Sequence, residues 1–468
     1  MRAPHIVAAC CASVLLGACA ATPMPELAAT DVPVTWLRGA NDADSWPELN
    51  WWQNFQASEL DAVITQVEQR NLDLQSNERN LRLAQLALRD AGFDLWPTPV
   101  VSFGASTAYA GIKPDAGDYT DGGSDLYELS AGIVYSDILS KPTNWDAAQA
   151  RYRSSLALAA DVRLNTLGTA ASTYFRILLL RDRIVAAEQN VANAEAITRI
   201  VEARVDAGTV NKVELLQQQI AVQQERNSLA SLRQDEFAAR SALALLVADS
   251  VTAFDVSATT LDQVRIPEVQ PGLPSSLLQR RPDIVQAEAD LALARADVDL
   301  ARLAYLPNIS LTGSAQLAST SLGDIVNDGT TAVTASASLA QLLLDNGGRG
   351  RNVERRRLEL ESSLASYRET VIGAFNEIEV TLGNIELLDA LGVVAADDLR
   401  RAEESFRIAE ARYREGVADF QTVLISQNQL FNSRNNFFDN KLARLNAIIG
   451  LYQALGGGWQ AQQLDARN

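Results

Sequence analysis

The sequence predicts a mainly α-helical fold with a β-barrel part, arranged as an internal duplication. Three observations support this prediction. Residues recur at a fixed offset, as Gly208 and Gly416 do within matching surroundings, which indicates a repeated structural unit. Two long stretches contain no proline and carry apolar residues seven positions apart, and four short segments alternate apolar with polar residues. The first pattern is typical of long packed helices, and the second is typical of strands.

The duplication sets the domain organisation. The positions that recur most clearly are Ala203, Arg204, Gly208, Leu216 and Gln219, which return as Ala411, Arg412, Gly416, Leu424 and Gln427. We place the first repeat at residues 58–260 and the second at 261–455. A signal peptide at 1–18 and a lipidated segment at 19–57 precede them, and residues 456–468 form a tail. Each repeat is expected to contain a helix, a β-hairpin, a very long helix, a glycine turn and a return helix.

The N-terminus is similar to a bacterial lipoprotein signal. A basic start, Met1-Arg2, precedes an apolar run from Ile6 to Leu16 that is too short to cross a bilayer as a helix. The run ends in Leu16-Gly17-Ala18-Cys19, which resembles the lipobox, where a peptidase cuts before a cysteine that carries diacylglycerol. We therefore expect a lipid on Cys19. Ala20 is not the aspartate that retains such proteins in the inner membrane, so the outer membrane is expected. The alternative is an ordinary secretory signal with an incidental cysteine.

The long helices are expected from Thr143 to Arg204 and from Gly350 to Arg412. At 1.5 Å per residue each would be roughly 90 Å long, which no compact globule requires. A sustained seven-residue apolar repeat predicts left-handed supercoiling of packed antiparallel helices. Its members are Leu364, Val371, Ile378 and Ile385 in the second long helix, and Leu424, Phe431, Phe438, Leu445 and Tyr452 in the return helix. An ordinary helical bundle is the alternative that this pattern leaves open.

Two β-hairpins are expected at about 99–139 and 308–343, at equivalent places in the two repeats. Their strands are apolar on one face and small or polar on the other, as in Val101-Ser102-Phe103-Gly104-Ala105. This alternation suits outer-membrane strands that face lipid on one side and water on the other. Four strands cannot close a barrel, and an open sheet edge is untenable in lipid. If the strands enter the membrane, several chains must therefore share one barrel.

Composition excludes several classes of function. The chain has 40 Lys and Arg against 58 Asp and Glu, a formal charge of −18, which argues against a surface for nucleic acid. Its one histidine, His5, and two of its three cysteines, Cys10 and Cys11, lie in the predicted signal peptide. A mature chain starting at Cys19 would lack Ser-His-Asp and Cys-His nucleophile pairs, histidine-ligated zinc and any internal disulfide. We therefore expect no catalytic residues, no metal site and no enzymatic activity.

Several local runs are distinctive. They are Asn50-Trp51-Trp52 with Phe55, Arg280-Arg281-Pro282-Asp283-Ile284, Ala304-Tyr305-Leu306-Pro307, Arg412-Tyr413 with Gly416, and Leu451-Tyr452-Gln453-Ala454-Leu455-Gly456-Gly457-Gly458-Trp459. Together with the lipobox and the duplicated plan, these runs resemble the outer membrane factor family, the TolC/OprM-like efflux ducts, in its NodT-type lipoprotein branch. The resemblance covers essentially the whole predicted mature chain.

The resemblance implies a homotrimeric exit duct in the bacterial outer membrane. Four strands per chain would contribute to a shared twelve-stranded barrel, and the helices would form a periplasmic tube with a closable tip. It implies two partners besides the protein itself and outer-membrane lipid: a periplasmic adaptor and an inner-membrane pump that is commonly proton-driven. No cofactor is implied beyond the lipid on Cys19, and no nucleic acid is involved.

The resemblance also transfers roles to two helix-to-helix turns, at 204–210 and 412–418. Relatives dock their adaptor around these turns, so the expected docking residues are Arg204, Gly208, Thr209, Val210, Arg412, Gly416 and Val417. The two glycines are expected to adopt backbone conformations with positive φ. The alternative is that each glycine only terminates its helix, and both roles can hold at once.

A candidate pore constriction lies just past the second turn. Many relatives carry an aspartate there in a Leu-Asp-Ala-Gln run, whereas this chain has Leu424-Ile425-Ser426-Gln427. The missing aspartate puts a charged gate at that level in doubt. Asp419 is a candidate acidic ring, with a helix N-cap as its alternative role. Thr422 and Ile425 complete the candidate set, and an isoleucine ring would narrow a pore by dewetting.

The competing interpretation is a periplasmic coiled-coil structural or adaptor lipoprotein without a pore. It accounts for the heptads and the lipobox but not for paired alternating strands in both repeats. The exported substrate, whether drug, metal, solvent or protein, is not predicted by the sequence.

Overall fold

The structure is a computed structural model that describes residues 35–38, 46–109, 123–268, 272 and 274–459. The predicted signal peptide, Cys19 and most of the loop between the first two strands lie outside the described residues. The described N-terminal part includes a short 3-10 helix, Trp51–Phe55.

Eight α-helices lie in the described part of the chain. They are α1 (Ser58–Arg70), α2 (Leu72–Phe93), α3 (Lys141–Asp206), α4 (Lys212–Leu246), α5 (Leu277–Arg280), α6 (Pro282–Leu303), α7 (Gly348–Arg414) and α8 (Phe420–Ala454). The long helices α3 and α7 have 66 and 67 residues, which confirms the two uninterrupted helical stretches expected from the sequence. Among the described helices, no segment combines the length and the apolar character needed to cross a membrane.

Four antiparallel strands form one sheet in the order β1-β2-β3-β4. They are β1 (Thr98–Tyr109), β2 (Gly123–Tyr135), β3 (Asn308–Ser319) and β4 (Thr330–Ala340). The register aligns the predicted faces, because the row Val101, Ala131, Ala315 and Val333 is apolar across all four strands. On the opposite face, hydroxyl pairs bridge neighbouring strands, with Ser102 and Ser130 at 2.7 Å and Thr312 and Ser336 at 2.6 Å between oxygens. Both predicted hairpins and their alternation are confirmed.

The chain divides into two compact units. The first contains Leu81–Ser155 and Ala287–Tyr367, and so includes the sheet. Here the duplication is visible in the hydrogen bonds. Lys141 Nζ donates to Asp94 O at 2.5 Å, and in the second repeat Arg349 Nη1 donates to the equivalent carbonyl of Ala304 at 3.4 Å.

The second unit contains the described parts of Thr30–Asn80, Leu156–Gln286 and Arg368–Asn468. Its core is built around aromatic rings. Trp51 stacks on Tyr452 with 5.0 Å between ring centroids, and Phe55 lies 5.0 Å from Phe175. Burial of these large rings is a main source of packing energy. Trp51 and Trp52 are buried, as expected for a core anchor.

The carboxylate of Glu59 binds the loop that contains Ser257 and Ala258 in this unit. Glu59 on α1 accepts hydrogen bonds from Ser257 N at 2.5 Å, Ser257 Oγ at 2.7 Å, Ala258 N at 2.9 Å and Tyr174 Oη at 3.2 Å. Burial acts to raise the pKa of Glu59, but the hydrogen bonds to its ionised form outweigh burial, and the pKa lies below its ordinary value.

The Arg280-Arg281-Pro282-Asp283 run also has a structural role. Pro282 begins α6, as its position in the sequence predicts. Arg281 binds Asp283 at 2.6 Å, Glu377 at 2.7 Å and the carbonyl of Ala454, at the end of α8, at 3.0 Å. Gly456 follows α8 with φ +82°, and a Cβ there would lie 2.0 Å from Arg280 O. Glycine therefore lets the end of α8 pack against this run.

Candidate functional site at the paired helical turns

The two helix-to-helix turns have the same backbone geometry. After α3, Thr209 N donates to Arg204 O and Gly208 N to Val205 O, both at 2.9 Å. After α7, Val417 N donates to Arg412 O and Gly416 N to Tyr413 O, also at 2.9 Å. These bonds form Schellman motifs, which need a residue in the left-handed region. Gly208 and Gly416 supply it with φ +74° and +80°, so the expected positive φ is confirmed.

The helices that leave the turns begin with equivalent side-chain caps. Asn211 Oδ1 accepts from Val213 N at 3.1 Å at the start of α4, and Asp419 Oδ1 accepts from Thr422 N at 2.7 Å at the start of α8. Thr422 Oγ1 also donates to Asp419 Oδ1 at 2.7 Å. The two bonds from Thr422 hold the pKa of Asp419 below its ordinary value. The N-cap role considered for Asp419 is confirmed.

A single arginine joins the two turns. Arg204 Nη2 donates to Tyr413 O at 2.5 Å, and its guanidinium carbon lies 4.4 Å from the centroid of the Tyr413 ring. The cation sits at the C-terminal end of α7, where the helix dipole favours positive charge. Arg412, its equivalent in the second repeat, is exposed, so the two copies use this position differently.

Beneath the turns lies a small hydrophobic cluster. It contains Ile197, Val201, Ala402, Phe406, Ala409, Tyr413, Phe420, Val423 and Leu430. The ring centroids of Tyr413 and Phe420 lie 5.9 Å apart. The Tyr413 hydroxyl is buried, has no hydrogen-bond partner, and has its pKa raised by burial, with Arg204 acting in the opposite direction. Arg204 and this cluster therefore hold the ends of α3, α7 and α8 together.

The remaining predicted docking residues surround this cluster on the outside. Thr209 and Val417 are exposed, Val210 is half-buried, and Thr209 Oγ1 donates to Arg204 O at 3.0 Å. The structure therefore brings the docking residues of both turns together at one end of the second unit. The turn surface offers exposed backbone together with the side chains of Thr209, Arg412 and Val417.

The candidate constriction residues Asp419, Thr422 and Ile425 are all exposed along the first turns of α8, whereas Ser426 and Gln427 are buried. Ile425 is 60% exposed. The position at which the resemblance implies an aspartate, Ile425, thus presents an apolar side chain at the surface of the described chain.

No role at this site was predicted from the sequence for three residues that shape it. Tyr413 and Phe420 fill the cluster, and Gln427 is buried with neither amide atom hydrogen-bonded. A signal existed for Tyr413, because it replaces Val205 at the equivalent position of the duplication. Within the described residues, no group of three or more His, Cys, Asp or Glu side chains could hold a metal ion.

Comparison with known proteins agrees with this architecture. The sequence model of the outer membrane efflux protein family matches residues 63–249 and 273–457, one match in each repeat. The pyoverdine export outer membrane protein OpmQ of Pseudomonas aeruginosa is 33% identical over 99% of this chain and 98% of its own length. The cation efflux system protein CusC of Escherichia coli is 26% identical over 96% of this chain and 98% of its own length.

Solved structures show the same fold. The outer membrane channel CmeC of Campylobacter jejuni superposes with a TM-score of 0.85 at 20% identity, covering 93% of this chain and 96% of CmeC. The outer-membrane channel OprN superposes with a TM-score of 0.84 at 22% identity, covering 94% of this chain and 99% of OprN. By its two sequence matches and its fold, the chain belongs to the outer membrane efflux protein family and is an outer membrane efflux channel.

Proposed function

We propose that the chain works as a homotrimeric exit duct, anchored by a lipid on Cys19 and fed by a periplasmic adaptor and a proton-driven inner-membrane pump. The observation that carries the proposal is the four-stranded sheet. Among the residues that the structure describes, its terminal strands, β1 and β4, each pair with one neighbour only. In hydrocarbon an unpaired edge leaves backbone donors and acceptors without partners, which costs several kcal/mol per group.

Three copies supply the simplest closed arrangement. Joining β4 of one copy to β1 of the next keeps the antiparallel alternation and removes every edge, and three copies give an even number of twelve strands. The apolar row through Val101, Ala131, Ala315 and Val333 would face lipid, and the row of hydroxyl pairs would face water.

The paired turns are proposed as the adaptor-docking tip. Thr209 and Val417 are exposed around a rigidly capped backbone, so a partner would meet a preformed surface rather than a flexible loop. Ile425, exposed one turn beyond Thr422, is the proposed constriction, where an apolar ring would gate by dewetting.

The cargo is proposed by likeness. OpmQ proteins from Pseudomonas aeruginosa and Pseudomonas putida are 33% and 30% identical to this chain, and both are named for pyoverdine export. Pyoverdine is therefore the first cargo to test, although the pump is expected to make most of the selection.

The duct proposal is tested by two substitutions in one strand. Val333 lies on the predicted lipid face of β4, and Ser336 lies on the hydroxyl face. Arginine on the lipid face of a barrel costs about 2–4 kcal/mol near the bilayer midplane, and arginine facing the lumen costs far less. We expect Val333→Arg to reduce the heat-stable trimer in outer-membrane extracts and Ser336→Arg to leave it intact.

Native mass measurement of the detergent-extracted protein gives the copy number, and conductance across a planar bilayer shows the pore. A monomer that tolerates both arginines and conducts no ions would support the coiled-coil lipoprotein without a pore.

A further inference from the structure

The second unit contains a cavity of about 410 Å³ that is lined by residues of α3, α4 and α8. Small-molecule sites in proteins usually have volumes of about 300–1,000 Å³. Part of the lining is apolar, because Leu179 and Leu180 of α3 are buried there and Leu442 of α8 is half-buried. These three side chains form what we call the leucine floor.

Four charged side chains also line the cavity, two of each sign. Arg183 of α3 and Asp439 of α8 form an ion pair at 2.6 Å, so their charges offset each other. Arg176 of α3 and Asp235 of α4 are exposed, and neither side chain has a hydrogen-bond or ion-pair partner among the described residues. The cavity therefore combines one unpaired cation, one unpaired anion and the leucine floor.

Arg183 adds a donor that the chain does not satisfy. Its Nη2 donates to the carbonyl of Asn435 at 3.2 Å as well as to Asp439, whereas its buried Nε finds no acceptor in the described part of the chain. Buried donors without a partner are rare, and they often mark the place of an ordered water or ion. Together with Arg176, this group makes the α3 side of the cavity attractive to an oxygen of a bound molecule.

The cavity lies on the face of α3 that is turned away from α1. On the covered face, Tyr174 donates to Glu59 of α1 at 3.2 Å, and Arg181 donates to carbonyls of the loop after α4. At 3.6 residues per turn, Arg176 and Arg183 lie about 180° around α3 from Tyr174. In a closed ring of copies, α1 and this loop would lie outside, where the circumference is larger. The cavity would then face the passage.

We propose that this cavity binds zwitterionic small molecules in the wall of the passage. Arg176 binds their carboxylate, Asp235 binds their protonated amine, and the leucine floor holds their apolar body. A pure anion would leave Asp235 facing a like charge, and a pure cation would do the same to Arg176, so both are disfavoured. The position in the passage rests on the proposed duct, whereas the binding site requires only the second unit.

Three probes with one apolar body test the charge requirement. At about pH 6, L-leucyl-L-leucine is a zwitterion, its N-acetyl derivative is an anion, and its methyl ester is a cation. Saturation-transfer NMR on the full chain extracted in detergent measures the affinity of each probe. We expect the zwitterion to bind about threefold to fivefold more tightly than either derivative, because each derivative loses one ion pair with an exposed partner.

Two substitutions assign the charges. Arg176→Gln should remove the advantage of the dipeptide over its methyl ester and keep its advantage over the acetylated form. Asp235→Asn should have the reverse effect. A purely structural role of either residue would weaken all three probes equally. Arg199→Gln is the matched control, because Arg199 is an exposed arginine of α3 outside the cavity, and it should leave all three affinities unchanged.

Conductance across a planar bilayer tests where the cavity lies. Asn446 lines the cavity and is exposed, and the predicted mature chain has no cysteine besides Cys19. We expect a cationic methanethiosulfonate reagent to change the single-channel conductance of Asn446→Cys. Thr259→Cys is the control, because Thr259 is exposed in the loop after α4, on the covered side of α3, and its labelling should leave conductance unchanged.

The results separate the site from the duct. Equal binding of the three probes, no binding of any, or equal losses in Arg176→Gln and Arg199→Gln would overturn the site and leave the duct proposal standing. Tightest binding of the acetylated probe would overturn the zwitterion in favour of an anion. A conducting channel that is insensitive to the label on Asn446→Cys would overturn the position in the passage. A monomer that conducts no ions would overturn the duct and that position, but not the binding site.

Discussion

Arg204 provides the sharpest prediction about the tip. Its guanidinium joins the ends of α3 and α7 through a hydrogen bond to Tyr413 O, a longer hydrogen bond to Arg414 O at 3.5 Å, and a stacking contact on the Tyr413 ring. We expect Arg204→Ala to loosen the turn after α7 without unfolding the chain, because the hydrophobic cluster beneath remains.

The size of the effect follows from the shorter hydrogen bond and the ring contact. A hydrogen bond from a charged donor contributes about 1.5–3 kcal/mol, and a cation–π contact at an exposed site adds about 0.5–1 kcal/mol. Arg204 is only half-buried, so the lower end of each of these two energy ranges applies. A loss of about 2 kcal/mol raises the population of the open turn roughly 30-fold, since about 1.4 kcal/mol corresponds to a factor of ten.

Hydrogen–deuterium exchange measures this change directly. The amides of Gly416 and Val417 are bonded within the turn, so their exchange rate reports its opening. We expect these amides to exchange roughly 30-fold faster in Arg204→Ala. Arg412→Ala is the matched control, since Arg412 occupies the equivalent position and is exposed. Equal exchange in the two variants would refute the idea that Arg204 joins the turns.

Four further predictions concern the turn glycine, the end of α8, the carboxylate of α1 and the lipobox cysteine. Gly416→Val forces a β-branched residue to positive φ at a cost of about 1–2 kcal/mol, and we expect it to impair export more than trimer assembly. Gly373→Val, in an exposed part of α7, is the control and should impair export far less. Equal loss of export and assembly in Gly416→Val would make the glycine purely structural. Arg281→Ala removes the contacts of Arg281 with Asp283, Glu377 and the carbonyl of Ala454, and should lower the free energy of unfolding by about 2–4 kcal/mol. Calorimetry can check this, and a loss below about 0.5 kcal/mol would contradict the role of Arg281. Because the pKa of Glu59 is lower in the folded than in the unfolded chain, its stabilising contribution is complete above pH 4.5, its ordinary pKa, and disappears as pH falls through the folded pKa; Glu59→Gln should flatten denaturant midpoints measured between pH 6 and about 3. Cys19→Ala should abolish incorporation of labelled palmitate and leave the helical circular dichroism unchanged, and label retained by this variant would argue against the lipobox.

Much of the fold could be predicted because its signals are periodic and local. The proline-free stretches correspond to α3 and α7, and the alternating segments correspond to β1–β4, because both patterns depend on which face of a local element is apolar. The glycines of the turns were also predictable, since a Schellman motif needs positive φ at one fixed position.

The candidate site was predicted only in part. The sequence places Arg204 and Arg412 at equivalent positions of a duplication and suggests equal roles. The structure makes Arg204 a link between the two turns and leaves Arg412 exposed. One difference between the copies is that Tyr413 offers an aromatic ring, on which Arg204 stacks, where the first copy has Val205.

The sequence by itself determined the duplication, the element types, the turn geometry and the exclusion of histidine chemistry. Only the tertiary structure decided that Arg204 joins the two turns, and that Ile378, Phe406 and Tyr413 are the α7 positions that become buried within the chain. Periodicity shows that a helix has an apolar face, but which face finds a partner within the chain depends on contacts between residues far apart in sequence.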